Sequence, residues 1–302
     1  MAKTRYGRDL GLNFRMGTSM FLLGLLYVVL ILAIWFLMGR TVGGVVLALV
    51  ISVGLFWGQW YFSDKLAMRA MNARVVSPQQ APELHTIIDR LCQLADMKKP
   101  VVAISNSDMP NAFATGRSPE KSVVCVTSGL LTRLSGKEVE AVLSHELSHV
   151  AHRDVTVMTI AGISGVLAGL MMRSWMFMGG RRDNNQNGIP IQLIVVLVGV
   201  VVYALSFLLI RVLSRYRELA ADRSGAYLTG NPSELASALV KVSGEMGKIP
   251  TKDLRKVGAY NQFFLVPALH ASDISKLFST HPPLDKRLEQ LSKISAELGQ
   301  QR

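Results

Sequence analysis

Ser135 to His149 reads SGKEVEAVLSHELSH, and the shape this stretch takes decides the architecture around it. Ser135, followed three residues later by Glu138, has the spacing of a capping box set just ahead of Val139, Val142, Leu143 and Leu147. The sequence therefore predicts a helix that opens at Ser135 and carries straight through both histidines. On such a helix His145 and His149, four residues apart, share one face and converge on one point, where two imidazole nitrogens suit a zinc ion. Glu146 between them is a carboxylate placed to take a proton from a water activated by that metal and pass it to a leaving amine. A solvated helix face also produces this five-residue pattern by chance, so its context decides its meaning.

The context is a second acidic element, Glu218-Leu219-Ala220-Ala221-Asp222. A catalytic zinc takes three protein ligands and keeps a fourth position open, and two His with one Glu is a standard set. Glu218 is accordingly read as the third ligand, giving one Zn2+ per chain. Asp222, one helical turn further, is read as the acceptor of the outer N–H of a ligand histidine.

Outside these elements the 302-residue chain is half hydrophobic, and its apolar residues gather in four blocks. Residues 18–38 and 41–62 are uncharged apart from Arg40 between them, and each is long enough to cover a ~30 Å hydrocarbon layer at ~1.5 Å per residue. They predict a tight transmembrane hairpin. Residues 156–178, which include Arg173 and several glycines, and residues 189–210 predict either a second one or a buried or interfacial helix pair that never crosses. The basic residues Lys3, Arg5, Arg8 and Arg15 precede the first block, Lys65, Arg69 and Arg74 follow the second, and Arg211, Arg215, Arg217 and Arg223 follow the fourth. Charge of this kind marks the inner face of a bacterial-type plasma membrane, with both termini inside and the polar segments in the cytoplasm. Arg181 and Arg182, in the polar loop between the third and fourth blocks, run against that pattern.

The same placement accounts for the net charge of +12 as contact with anionic headgroups of the lipid bilayer, and the reading excludes nucleic acid as a partner. Cys92 and Cys125 are the only cysteines, with neither a CxxC nor a neighbouring histidine. They are expected to be reduced and structural. Between the hairpins, Leu84, Ile87, Ile88, Leu91 and Leu94 predict an amphipathic helix ending near Met97, with Pro78 or Pro82 in its first turn. The β-branched runs 101–104 and 123–126 predict two or three strands of a small sheet. Further helices are expected from Asn231-Pro232-Ser233-Glu234 and over residues 283–298.

HELSHVAHRD at 145–154, RYRELAADRSGAYLTG at 215–230, STHPPLDKRLEQL at 279–291 and NAFATG at 111–116 together resemble the HtpX-type integral-membrane zinc endopeptidases, relatives of the CAAX prenyl proteases. The resemblance spans nearly the whole chain, with the motifs in the family's order. It implies a stress-linked quality-control protease that cleaves damaged or misfolded membrane proteins from the cytoplasmic side. It implies zinc held by His145, His149 and Glu218, with Glu146 as base and Asp222 behind a ligand. It further implies that His281 and Arg287 face the oxyanion of the attacked peptide bond and that Asn111 belongs to an edge strand that binds substrate.

The expected fold is thus a mainly α membrane protein. A tail and hairpin (1–62) and a second hairpin (156–210) alternate with two cytoplasmic parts of a zincin-like α+β catalytic domain (63–155 and 211–302). Two other functions fit an HExxH helix: a zinc hydrolase that acts on small amides rather than proteins, and a membrane scaffold with a structural zinc. The first lacks a use for the Glu218–Asp222 element, and the second needs a fourth Cys or His ligand and leaves Glu146 unexplained.

Overall fold

The computed structural model describes residues 10–37, 60–161, 191–248 and 281–300, together with residues 43, 46, 50, 53, 54, 57, 58 and 265. Two long helices dominate it. Helix α1 (Leu10–Leu37) is the first apolar block, and Phe21, Leu25, Val28 and Leu32 on it are all exposed. Helix α6 (Ile191–Thr229) is 39 residues long and exposes Leu197, Val200, Val201, Leu205 and Leu208. Helices apolar all round are stable when buried in protein or in lipid, and these side chains are not buried in protein. α1 and α6 pack through a small cluster in which Leu23, Leu213 and Ala161 are fully buried, flanked by Met16, Met20 and Leu209. Ala161 ends the described part of a helix that starts at Asp154, and the Tyr27 hydroxyl donates to the Ile160 carbonyl of that segment.

Of the four expected spans, the first and fourth blocks are therefore the helices α1 and α6. Among the described residues only α6 is both long and apolar enough to cross a membrane, over Leu197–Thr229. The blocks at 41–62 and 156–178 lie largely outside the described residues. At ~1.5 Å per residue α6 measures about 58 Å, roughly twice a ~30 Å hydrocarbon layer. Its polar end, from Arg211 through Glu218 and Asp222, projects well beyond the apolar part.

The remaining elements form one α+β body. Helix α2 (Ser63–Ala70) leads into strand β1 (Ala73–Val75), helix α3 (Pro82–Ala95), strands β2 (Val101–Ser105), β3 (Ala112–Ser118) and β4 (Lys121–Thr127), and the short helix α4 (Ser128–Arg133). After it come α5 (Gly136–Ala151) and, beyond α6, helices α7 (Pro232–Lys248) and α8 (Leu284–Gln300). The sheet order is β1-β2-β4-β3. The two valine-rich runs pair in parallel, Val101 opposite Val123, while β1 and β3 pair antiparallel at the two edges. β1 has only three residues and β3 reads AFATGRS, with Thr115 its one β-branched residue, so neither shows the β-branched pattern that makes β2 and β4 legible. The β3–β4 hairpin needs Gly116, whose φ is +137° and where a Cβ would come within 2.4 Å of the Lys121 carbonyl oxygen.

The capping box forms as the sequence predicts. The Ser135 N–H donates to Glu138 Oε2 at 2.8 Å, and the Glu138 N–H donates to Ser135 Oγ at 3.4 Å. Glu138 also accepts from Ser237 Oγ at 2.6 Å and from Lys241 Nζ at 2.9 Å, tying the start of α5 to α7. The core joins Leu84, Ile88 and Leu91 of α3, Val102, Val124 and Val126 of the sheet, Val139, Val142 and Leu143 of α5, Leu239 of α7 and Leu291 of α8. Each such side chain contributes roughly 1.5–3 kcal/mol by leaving water, and it is the Val and Leu face of α5 that anchors the helix carrying the histidines.

Candidate metal centre

Helix α6 crosses directly over α5 at Gly225. A Cβ there would come within 2.9 Å of the His145 backbone nitrogen, and Ser144 Oγ donates to the Gly225 carbonyl at 3.2 Å. This close approach brings the polar end of α6 onto the histidine face of α5. His145 Nε2 then lies 3.1 Å from His149 Nε2 and 3.7 Å from Glu218 Oε2. His149 Nε2 lies 3.4 Å from Glu218 Oε1. Ligands held ~2.0–2.1 Å from a tetrahedral zinc stand roughly 3.4 Å from one another, so the spacing of the three groups fits such an ion. Among the described residues they are the one group of His, Cys, Asp or Glu that could hold a metal.

The donor chemistry agrees with the spacing. His145 Nδ1 lies 2.9 Å from Asp222 Oδ1, and His149 Nδ1 lies 2.6 Å from Asp154 Oδ2. A carboxylate beside each Nδ1 favours a proton there, which leaves the lone pairs on both Nε2 atoms. These lone pairs point at each other and at a carboxylate, in a pocket where His145 and Glu218 are both buried. Three electron-pair donors within 4 Å repel one another unless a cation lies between them.

Glu146 is buried, and the Ala114 N–H on the outer edge of β3 donates to its carboxylate. Burial pushes its carboxyl above the ordinary range, an effect that the neighbouring histidines only partly offset.

The other sequence-derived residues fall into place unequally. His281 reaches the centre, its Nδ1 3.1 Å from Glu218 Oε2. Arg287 is fully buried. Its Nε and Nη2 donate to the two Asp222 oxygens at 2.7 and 2.6 Å, and its Nη1 donates to the Leu265 carbonyl at 2.9 Å. The same Nη1 also lies 3.7 Å from Glu218 Oε2, beside the centre. Asn111 is likewise fully buried, with its Oδ1 accepting from the Leu265 N–H at 2.9 Å. Its side chain is turned inwards, and it directly precedes the edge strand β3.

Asp154 and Arg217 were not legible as site residues. Asp154 follows His149 by five positions, a spacing that on a continuous helix points elsewhere. The chain turns back because Arg153 adopts a left-handed conformation with φ +57°. Nor does His152 join the centre. It ends α5, its Nε2 lies 3.3 Å from Ser224 Oγ, and burial with the nearby Arg217 pushes its pKa down to about 4. Cys92 and Cys125 are both buried free thiols in the core, consistent with a structural role.

The chain matches peptidase family M48 over residues 78–295. It is 53% identical over 303 residues to "Protease HtpX homolog 1" of Streptomyces coelicolor, an alignment that covers 99% of this chain and 97% of that one. It is 47% identical over 305 residues to "Protease HtpX homolog" of Moorella thermoacetica, covering 99% and 100%. The crystal structure of S. mikatae Ste24p superposes with a TM-score of 0.52 at 18% identity, covering 94% of this chain and 67% of that one, a likeness of fold.

Proposed function

The chain belongs to peptidase family M48 and is an HtpX-type metalloprotease, and from that premise we propose a membrane-bound zinc endopeptidase that cleaves damaged or misfolded membrane proteins on the cytoplasmic side. The observation that carries this reading is the convergence of His145 Nε2, His149 Nε2 and Glu218 at 3.1–3.7 Å beside a buried Glu146. Zinc held by those three residues supplies Lewis acidity towards both water and the substrate carbonyl. The rest falls to the chain itself. Glu146 accepts the proton of the attacking water and returns it to the leaving amine. His281, next to Glu218, is the group within reach of charge that develops on the carbonyl oxygen. Asp222 orients His145, and Arg287 holds Asp222. The outer edge of β3, beside Glu146, is where an extended peptide adds as a further strand.

A membrane substrate is favoured by the continuity of α6. One helix carries both the apolar stretch and Glu218, so the centre stands within a few turns of the hydrocarbon boundary. Glu218 follows Ile210, the last residue of the fourth block, by eight positions, or roughly 12 Å along the helix. His145, His149 and Glu218 must also share one side of the membrane, so the third and fourth blocks cross twice or not at all. Single cysteines introduced as Asn185→Cys and Ser292→Cys and probed on intact cells with a membrane-impermeant thiol reagent decide the topology. Asn185→Cys is expected to be labelled and Ser292→Cys protected. Labelling of Ser292→Cys overturns the orientation, and protection of both overturns the crossing of the second hairpin.

A further inference from the structure

Asp154 and Arg217 form a buried pair that the hydrolytic steps do not use. Asp154 Oδ2 lies 2.6 Å from His149 Nδ1, and Asp154 Oδ1 is ion-paired with Arg217. The same guanidinium donates to the His152 carbonyl at 3.0 Å. Asp154 is 7% exposed and Arg217 5%. A buried ion pair contributes little net stability compared with an apolar pair of the same volume, so what this one supplies is geometry. Arg153, immediately before it, holds a left-handed backbone that is unfavourable for a residue with a side chain, and that turn is what returns Asp154 to His149.

We propose that Asp154 and Arg217 are a positioning pair that fixes the ring of His149 and sets its distance from Glu218. The proposal rests on the reading of His145, His149 and Glu218 as zinc ligands. It is the counterpart of the arrangement around His145, where Asp222 lies against Nδ1 and Arg287 grips Asp222 through both carboxylate oxygens. Each histidine thus has a carboxylate on its outer nitrogen and a buried arginine behind that carboxylate. The His149 branch does more than copy the other. Arg217 immediately precedes Glu218 on α6, whereas Asp154 opens the helix that leads into the third apolar block. The pair therefore joins the foot of the third block to the foot of the fourth, beside the end of α5 that carries His149 and the turn of α6 that carries Glu218.

The test is a zinc titration of the purified full-length protein in detergent, run against a chromophoric chelator, with the melting temperature of the zinc-free protein measured in parallel. Asp154→Asn and Asp154→Ala are expected to weaken zinc binding by roughly 10–100-fold, and Arg217→Gln to weaken it in the same direction. Combining Asp154→Asn with Arg217→Gln should cost no more than the larger single effect, because the two residues act as one unit. A role in packing alone would lower the melting temperature and leave the zinc affinity of the folded molecules unchanged. Wild-type affinity in both Asp154 variants overturns the proposal, whatever their stability. If neither Asp154 variant folds, wild-type affinity in Arg217→Gln overturns it instead. Glu218→Ala in the same titration separates the two levels: if it also binds zinc as tightly as wild type, the ligand assignment has failed and the pair falls with it.

Discussion

Glu146→Gln is expected to bind zinc at wild-type stoichiometry and to cleave protein substrates roughly 10²–10⁴-fold more slowly, the range that a positioned general base contributes. The substitution removes a proton acceptor and leaves the three ligands in place. The glutamine amide has nearly the shape of the carboxylate, and its oxygen can still accept from the Ala114 N–H, so the position of the helix against β3 should hold. Zinc content by elemental analysis and turnover of casein check the two halves separately. Loss of zinc from this variant would place Glu146 among the ligands, and retained turnover would remove it from the mechanism.

Glu218→Ala is expected to do the reverse and lose the metal itself. Its carboxylate is the only charged member of the ligand set, and both of its oxygens lie within 3.7 Å of a histidine Nε2. Without it, two neutral imidazoles on one helix remain, with Arg287 Nη1, now 3.7 Å from Glu218 Oε2, left beside the cavity. A positive group at that distance opposes cation binding further. The measurement is zinc retained after purification and dialysis, which should fall from stoichiometric to background. A wild-type zinc content would assign the third ligand to another residue.

Much of this centre is legible in the sequence because helices report their own geometry. A spacing of four residues from His145 to His149 is about one turn, and so is the distance from Glu218 to Asp222, while Ser135 and Glu138 announce the start of α5. What joins α5 to α6 is not legible in this way. Gly225 has no local signature, yet the absence of its side chain is what lets the two helices touch. Asp154 escapes for a related reason, since a five-residue spacing from His149 becomes a contact only after the backbone reverses at Arg153.

Arg287 and Asn111 show the converse limit. A motif places them near the centre, but their direction depends on partners far away in the chain. Arg287 donates to Asp222 and to Leu265, and Asn111 accepts from Leu265. Neither contact follows from any periodicity. The small sheet was half legible, since β2 and β4 are rich in valine whereas the edge strands β1 and β3 take their conformation from pairing rather than from propensity.

The central claim is that a zinc ion held by His145, His149 and Glu218 drives peptide hydrolysis, and the most direct measurement is casein cleavage by detergent-purified full-length protein before chelation, after it, and after stoichiometric zinc is restored. The expected result is one zinc per chain, activity abolished by the chelator and recovered with zinc. Undiminished cleavage by protein shown to be metal-free would contradict it.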